Sequence, residues 1–190
     1  MVLTPSSMLP LGAVAKDFHL PEVVSERSIC LYDELAQTAD LKGFVIVFIC
    51  NHCPYVVHIQ HKIVEVAHQY IPQGIAFFAI SANDADAYPQ DDRAHLKQQA
   101  DALQLPFAYC HDESQDTAKA YHAACTPDFY LFDSNKLCVY RGRFDDSLPG
   151  NARPVTGLDL SGAMDALIQQ ETISPDQHPS IGCNIKWRSH

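Results

Sequence analysis

The sequence is short of basic charge. Its 13 Lys and Arg stand against 23 Asp and Glu, giving a formal charge of −10 and a pI near 5.3. With no Lys/Arg cluster, neither nucleic acid nor anionic membrane is expected as a partner. Long apolar runs are missing too. The longest, Phe44 to Cys50, falls far below the ~20 residues of a membrane helix. The first residues, MVLTPSSMLPLG, have no basic flank and no apolar stretch, which argues against a signal peptide and predicts a cytoplasmic location. No repeat, low-complexity tract or dividing linker interrupts the 190 residues, of which 47% are apolar. The expectation is one globular domain over 1–190, with an N-terminal strand extension and an irregular C-terminal tail over 172–190.

What the chain does have is cysteine: seven, an odd number, with ten histidines. In a reducing compartment cysteines serve catalysis or metal binding more often than structural bridges. Their positions matter more than their number.

The periodicity predicts an α/β order. Gly43 to Ile49 is β-branched and aromatic on both faces, the signature of a central strand covered from both sides. From Pro54 the period changes, and Val56, Ile59, Ile63, Ala67 and Tyr70 mark an amphipathic helix ending before Pro72 and Gly74. A second buried strand follows at 75–81, then an acidic loop (83–92) and a polar helix over about 91–103. A short strand at 106–110 and a short helix at 115–123 come next. Strands at 129–132 and 137–141 flank the turn Asp133-Ser134-Asn135-Lys136. A last helix is expected over about 159–170. Before Asp40 only short strands are predicted, at 18–20 and at 29–32. The order describes a mixed sheet with helices on both faces.

The segment Cys50-Asn51-His52-Cys53-Pro54-Tyr55-Val56 joins the central strand to the helix. A C-x-x-C at such a junction reads as a thioredoxin-like redox motif. First-turn N–H groups and the helix dipole stabilise a thiolate there and populate the nucleophile near neutral pH. Pro54 suits the first helical position, since its missing N–H has no partner there in any case. That puts Cys53 at the N-cap, with Sγ expected to accept from the N–H groups of Tyr55 and Val56. Cys53 is therefore the candidate nucleophile and Cys50 the candidate resolving thiol. A buried, inert Cys50 is the alternative.

Gly12-Ala13-Val14-Ala15-Lys16-Asp17-Phe18-His19-Leu20-Pro21 is similar to the opening segment of peroxiredoxins, G-x-x-A-P-D-F-x-L. Together with the Cys50–Val56 motif, Cys125 to Asp133 and Ser180 to Trp187, it makes the chain resemble the thioredoxin-fold superfamily. The specific likeness is to the peroxiredoxin-like branch of the alkyl hydroperoxide reductase/thiol-specific antioxidant group, and within it to one subfamily carrying the CNHCPYV motif. The resemblance implies a thioredoxin-like fold and a thiol–disulfide oxidoreductase or thiol peroxidase needing no cofactor. Its partners would be a protein or small-molecule disulfide, or a peroxide, and an unidentified reductant. It also implies a cis Thr126-Pro127 bond, with the backbone of Thr126 pairing with the substrate chain. Cys125 would then lie near Cys53 and rival Cys50 as resolving partner. His52 and Pro54 complete the expected substrate-facing set, His52 as a possible charge beside the thiolate or a solvent-facing ring. Two positions depart from the families' patterns. Val56 stands where thioredoxins have their second cysteine, and Cys50 where peroxiredoxins have Thr or Ser three residues before the reactive sulfur.

Other readings compete. Cys50, His52 and Cys53 with Cys125 or Cys183 could form a zinc site, and His58 and His61 lie one helical turn apart. A thioredoxin fold can also serve as a non-catalytic binding module. Cys30, Cys110 and Cys138 are expected to pack in the core, and Arg141, Arg143, Asp145 and Asp146 to form a solvated loop. Cys183 has no assigned role, though an ordered tail carrying it could close over the site.

Overall fold

The computed structural model describes residues 3–188. Its main sheet has five strands in the order β6-β5-β4-β8-β9. At its centre is β4 (Gly43–Phe48), parallel to β5 (Ile75–Ser81), which is parallel to β6 (Ala108–His111). On the other side β4 pairs antiparallel with β8 (Asp128–Asp133), and β8 with β9 (Cys138–Gly142).

The unbroken apolar run of β4 is explained by two separate cores. Phe44, Ile46 and Phe48 face one core with Leu31 and Leu35 of α1 (Leu31–Gln37) and Ala118 of α4 (Asp116–Ala120). Val45 and Val47 face the other, with Val56, Ile59 and Ile63 of α2 (Pro54–Tyr70). Leu96 of α3 (Arg93–Leu103) and Leu160 and Met164 of α5 (Leu158–Gln169) join that second core. Every residue of β4 is buried, and each large side chain so placed stabilises the fold by about 1.5–3 kcal/mol. After α2 the chain turns at Gly74, whose φ of +93° and contact with the Asp40 carbonyl leave no room for a Cβ.

Three departures from expectation concern short elements. The segment 29–32 was expected as a strand. The strand is instead β3 (Ser28–Cys30), paired with β2 (His19–Pro21), and Leu31 already begins α1. The apolar pair Leu31/Leu35 is buried at helical spacing, but seven residues are too few to display a period. The tail over 172–190, expected as irregular, contains β10 (Ile181–Asn184). That strand lies between β1 (Leu3–Pro5) and β7 (Cys125–Thr126) in a second, three-stranded sheet. Cys30, expected in the core, is only partly buried, with its Sγ 3.6 Å from an Asp17 carboxylate oxygen. Cys110 and Cys138 are buried as expected.

Candidate active site at the strand-to-helix junction

β4 delivers Cys50 and Cys53 to the end of the sheet, and α2 starts at Pro54 with Cys53 at its N-cap. One part of the expectation fails here. The Cys53 side chain makes no cap hydrogen bond; the N–H groups of Val56 and Val57 donate to its backbone carbonyl, each at 3.0 Å. The sulfur turns instead toward the neighbouring sheet. It lies 3.1 Å from the Thr126 carbonyl oxygen and 3.0 Å from Cys183 Sγ. The Thr126–Pro127 peptide bond is cis.

Donors outnumber acceptors around Cys53. The Cys50 thiol donates to it first, and Cys183 and Thr126 follow, so its thiol is held well below the ordinary range, at about 4, although burial opposes this. The Thr126 carbonyl is the acceptor for the protonated form. Cys50 has the opposite environment. Its bond to Cys53, its burial and the negative Asp91 together hold its proton and push it well above the usual thiol range. Its Sγ is also 3.4 Å from the Thr126 hydroxyl.

Cys183 is pushed up to about 12, by burial first and then by its bond to Cys53. Cys125, one residue before Thr126, aims its sulfur at the carbonyls of Pro127 (3.6 Å) and Ser180 (4.0 Å). Burial drives its thiol far upward. Among the thiols expected beside Cys53, Cys50 is there, and the unassigned Cys183 occupies the place considered for Cys125.

His52 faces neither solvent alone nor Cys53. Its Nδ1 is 2.6 Å from Asp91 Oδ2, and its ring stacks on Tyr88 with centroids 5.8 Å apart. Asp91 is fully buried and accepts also from the Asn51 N–H at 2.9 Å and the Asn83 amide at 2.8 Å. Cys50, His52 and Asp91 bring their donor atoms within 4.8 Å of one another, one of two such groups among the described residues that could hold a soft divalent ion; the other is Asp17, His19 and Cys30. Both Asp91 oxygens are already engaged in the protein's own hydrogen bonds. Asp91 was read only as part of an acidic loop, and nothing local in the sequence marks it as buried.

Pro54 is exposed, and His61 lies on the outer face of α2. His58 instead meets Ser147 Oγ at 3.2 Å, on the wall of an apolar cavity of about 250 Å³. That cavity is bounded by Tyr55, Pro127, Phe144, Pro179 and Ile181. The loop after β9 that forms another wall is not simply solvated. Asp145 accepts from the N–H groups of Ser147, Thr156 and Gly157, and Arg143 pairs with Asp159. Immediately after the cis proline, Asp128 is fully buried, and desolvation raises its carboxyl to about 7.

A mixed sheet flanked by helices, a cysteine at a helix N-terminus and a cis-proline turn beside it define a thioredoxin-fold thiol protein. The sequence matches the AhpC/TSA family over residues 11–141, most of the chain, and the chain belongs to that family. It is similar to an uncharacterized conserved protein from Geobacillus kaustophilus, at 47% identity over 100% of this chain and 98% of that one, with a TM-score of 0.95. A hypothetical protein from Sinorhizobium meliloti shares 41% identity over 98% of this chain and all of the other, with a TM-score of 0.94. A peroxidoxin from Mycobacterium tuberculosis, at 12% identity, shows the fold alone, with a TM-score of 0.62 over 86% of this chain and 98% of that one. No curated protein gives a significant match. No helix among the described residues is long and apolar enough to cross a membrane.

Proposed function

We propose that this protein is a thiol oxidoreductase of the peroxiredoxin-like type, in the subfamily carrying the Cys50–Val56 motif, and that Cys53 is its nucleophile. The observation that carries this reading is the Cys53 sulfur itself. It stands at the start of α2, depressed in pKa by the Cys50 thiol and within 3.0 Å of a second thiol. A sulfur that ionises below neutral pH beside a protonated thiol is equipped for two-electron chemistry.

The Cys53 thiolate attacks the electrophilic atom of an oxidant, a disulfide sulfur or a peroxide oxygen. A second thiol of the chain then displaces the leaving group and forms a disulfide, which an external dithiol reduces. Thr126 and Pro127 line the approach, and Pro54 begins the helix that presents the sulfur. His52 acts at one remove, through Asp91 and Cys50. The chemistry is complete with sulfur alone, within one domain and in a reducing compartment such as the cytoplasm. AhpC/TSA membership favours a peroxide among the oxidants.

The rate of iodoacetamide labelling at Cys53, followed against pH, tests the reading. An inflection well below the ordinary thiol value of ~8.5 is expected, with loss of all turnover in Cys53→Ser. An ordinary thiol inflection would overturn it.

A further inference from the structure

The register of β10 leads further, on the reading of Cys53 as nucleophile. The thioredoxin-like resemblance implies that a chain exchanging a disulfide with Cys53 would lay its own backbone along the edge at Thr126, whose carbonyl oxygen lies 3.1 Å from the sulfur. The edge is occupied. β10 pairs antiparallel with β7, Cys183 opposite Thr126 and Asn184 opposite Cys125. Its far edge is covered in turn by β1, with Leu3 opposite Cys183 and Pro5 opposite Ile181.

The chain is shaped for this close approach. A Cβ on Gly182 would stand 2.0 Å from the Thr126 carbonyl oxygen, so only glycine lets β10 seat there. Bonds beyond the strand hold both ends. Ile185 N–H donates to Ala124 at 3.1 Å, Ser6 N–H to Ser180 at 2.8 Å, and Lys186 N–H to the Asn83 side chain at 2.9 Å. As a result Cys183 Sγ sits 3.0 Å from Cys53 Sγ, where the sulfur of an incoming polypeptide would lie. Cys53 itself is fully buried beneath this arrangement.

We propose that Ile181–Asn184 is a built-in substitute for a substrate strand: Cys183 is the resolving cysteine, and its strand bars polypeptide disulfides, so that the oxidant is a small molecule. With a hydroperoxide, the Cys53 thiolate attacks the terminal oxygen, and the alcohol leaves with one added proton, giving Cys53 sulfenic acid. The Cys183 thiol then attacks that sulfur, its proton and the hydroxyl leave as water, and a Cys53–Cys183 disulfide forms. With a small disulfide, the first step gives a mixed disulfide and one free thiol. Cys183 then displaces the second thiol, which takes up the Cys183 proton. Either way two thiols lose two electrons to the oxidant, and an external dithiol restores them. Sulfurs at 3.0 Å need about 1 Å of approach to reach bonding distance. The apolar cavity bounded by Tyr55, Pro127 and Ile181 borders the residues that follow Thr126 and precede Gly182, on the side from which a small oxidant would approach, while the Thr126 edge itself is taken by β10.

The full-length reduced protein is treated with one equivalent of hydrogen peroxide or of hydroxyethyl disulfide, quenched in acid and mapped by peptide mass. A Cys53–Cys183 bridge is expected as the main product. A Cys50–Cys53 or Cys53–Cys125 bridge in its place would overturn the proposal. Insulin disulfides should be reduced at least ~10-fold more slowly than hydroxyethyl disulfide; comparable rates would equally overturn it. Gly182→Ala, which pushes β10 off Thr126 and Cys183 away from Cys53, should lower hydroxyethyl disulfide turnover and raise insulin reduction relative to it by about 10-fold; an unchanged ratio would overturn the proposal. Should that variant fail to fold, the bridge map and the insulin comparison on the unaltered protein still decide. Cys183→Ser separates the two layers of argument. If its Cys53 is not labelled preferentially at about pH 6, the nucleophile reading itself fails; if Cys53 is labelled but the unaltered protein forms no bridge to Cys183, only the present proposal falls.

Discussion

Cys50 and Cys183 both lie against Cys53, but the fold brings them there by opposite routes. Cys50 comes with the motif, three residues earlier in the same loop, and is enclosed by the Thr126 hydroxyl and the buried Asp91. Cys183 arrives on a strand from the far end of the chain and meets Cys53 across the sheet edge, outside the residues that match the family. Both hold a proton and donate to Cys53, Cys50 as the first contributor to its depressed pKa and Cys183 as a smaller one, but only Cys183 brings its sulfur across the sheet edge to 3.0 Å. On the proposed mechanism, closeness in sequence selects the electrostatic partner of Cys53, and tertiary pairing selects the thiol that reacts with it.

Removing each sulfur in turn breaks or sharpens this contrast. The largest effect is expected in dithiol-supported turnover of hydrogen peroxide or hydroxyethyl disulfide. Cys183→Ser should lower it by about 100-fold, since the oxidised Cys53 then waits for an external thiol, whereas Cys50→Ser should lower it by less than about threefold. A steady-state assay of the two variants side by side measures this, and equal losses would erase the distinction.

A smaller effect isolates the donor role of Cys50. Cys50→Ala deletes the first contributor to the depressed Cys53 pKa and should slow iodoacetamide labelling of Cys53 near pH 6 by about tenfold. Cys50→Ser keeps an O–H donor at the position where peroxiredoxins carry Thr or Ser, and should restore most of the rate. A shape-only role for Cys50 predicts no such difference between Ala and Ser in the pH profile.

The same contrast explains which parts of the molecule were legible in the sequence. The β4–α2 junction was, because its signals are local: a run of apolar residues on both faces, then a 3.6-residue period, then Pro54 at the first helical position. Those signals place Cys53 at the N-cap. They do not say where its sulfur points, which Thr126 and Cys183 decide from other elements. β10 was illegible for a related reason. Ile-Gly-Cys-Asn has no alternation to read, and its partners come from residues 3–5 and 125–126. The burial of Asp91 likewise depends on Asn51, His52 and Asn83 gathering around it, and the acidic loop around it looks solvated in one dimension.

A further effect is expected on stability, and its sign follows from protons. Cys53 titrates at about 4 in the folded protein, against ~8.5 for a thiol in the unfolded chain. Between those values the unfolded state binds more protons, so the Cys53 contribution to stability grows as pH rises through the window and is lost as pH falls toward 4. Asp128 works the other way. Its carboxyl is raised to about 7 by burial, so its contribution is present in acid and lost as pH rises through 7. Cys50, pushed far up, opposes Cys53 only in the alkaline range. The pH profile of the protein alone therefore mixes all three. The difference between wild type and Cys53→Ser, taken from urea midpoints across the same pH range, cancels Asp128 and leaves the thiolate. That difference should rise with pH at no more than about 1.4 kcal/mol per unit, the limit for one proton. Repeated in a Cys50→Ala background, the rise should begin at higher pH, because the donor that holds the thiolate is gone. A difference that stays flat from pH 5 to 8 would mean that Cys53 titrates as an ordinary thiol, and the contrast between Cys50 and Cys183 would lose its electrostatic half.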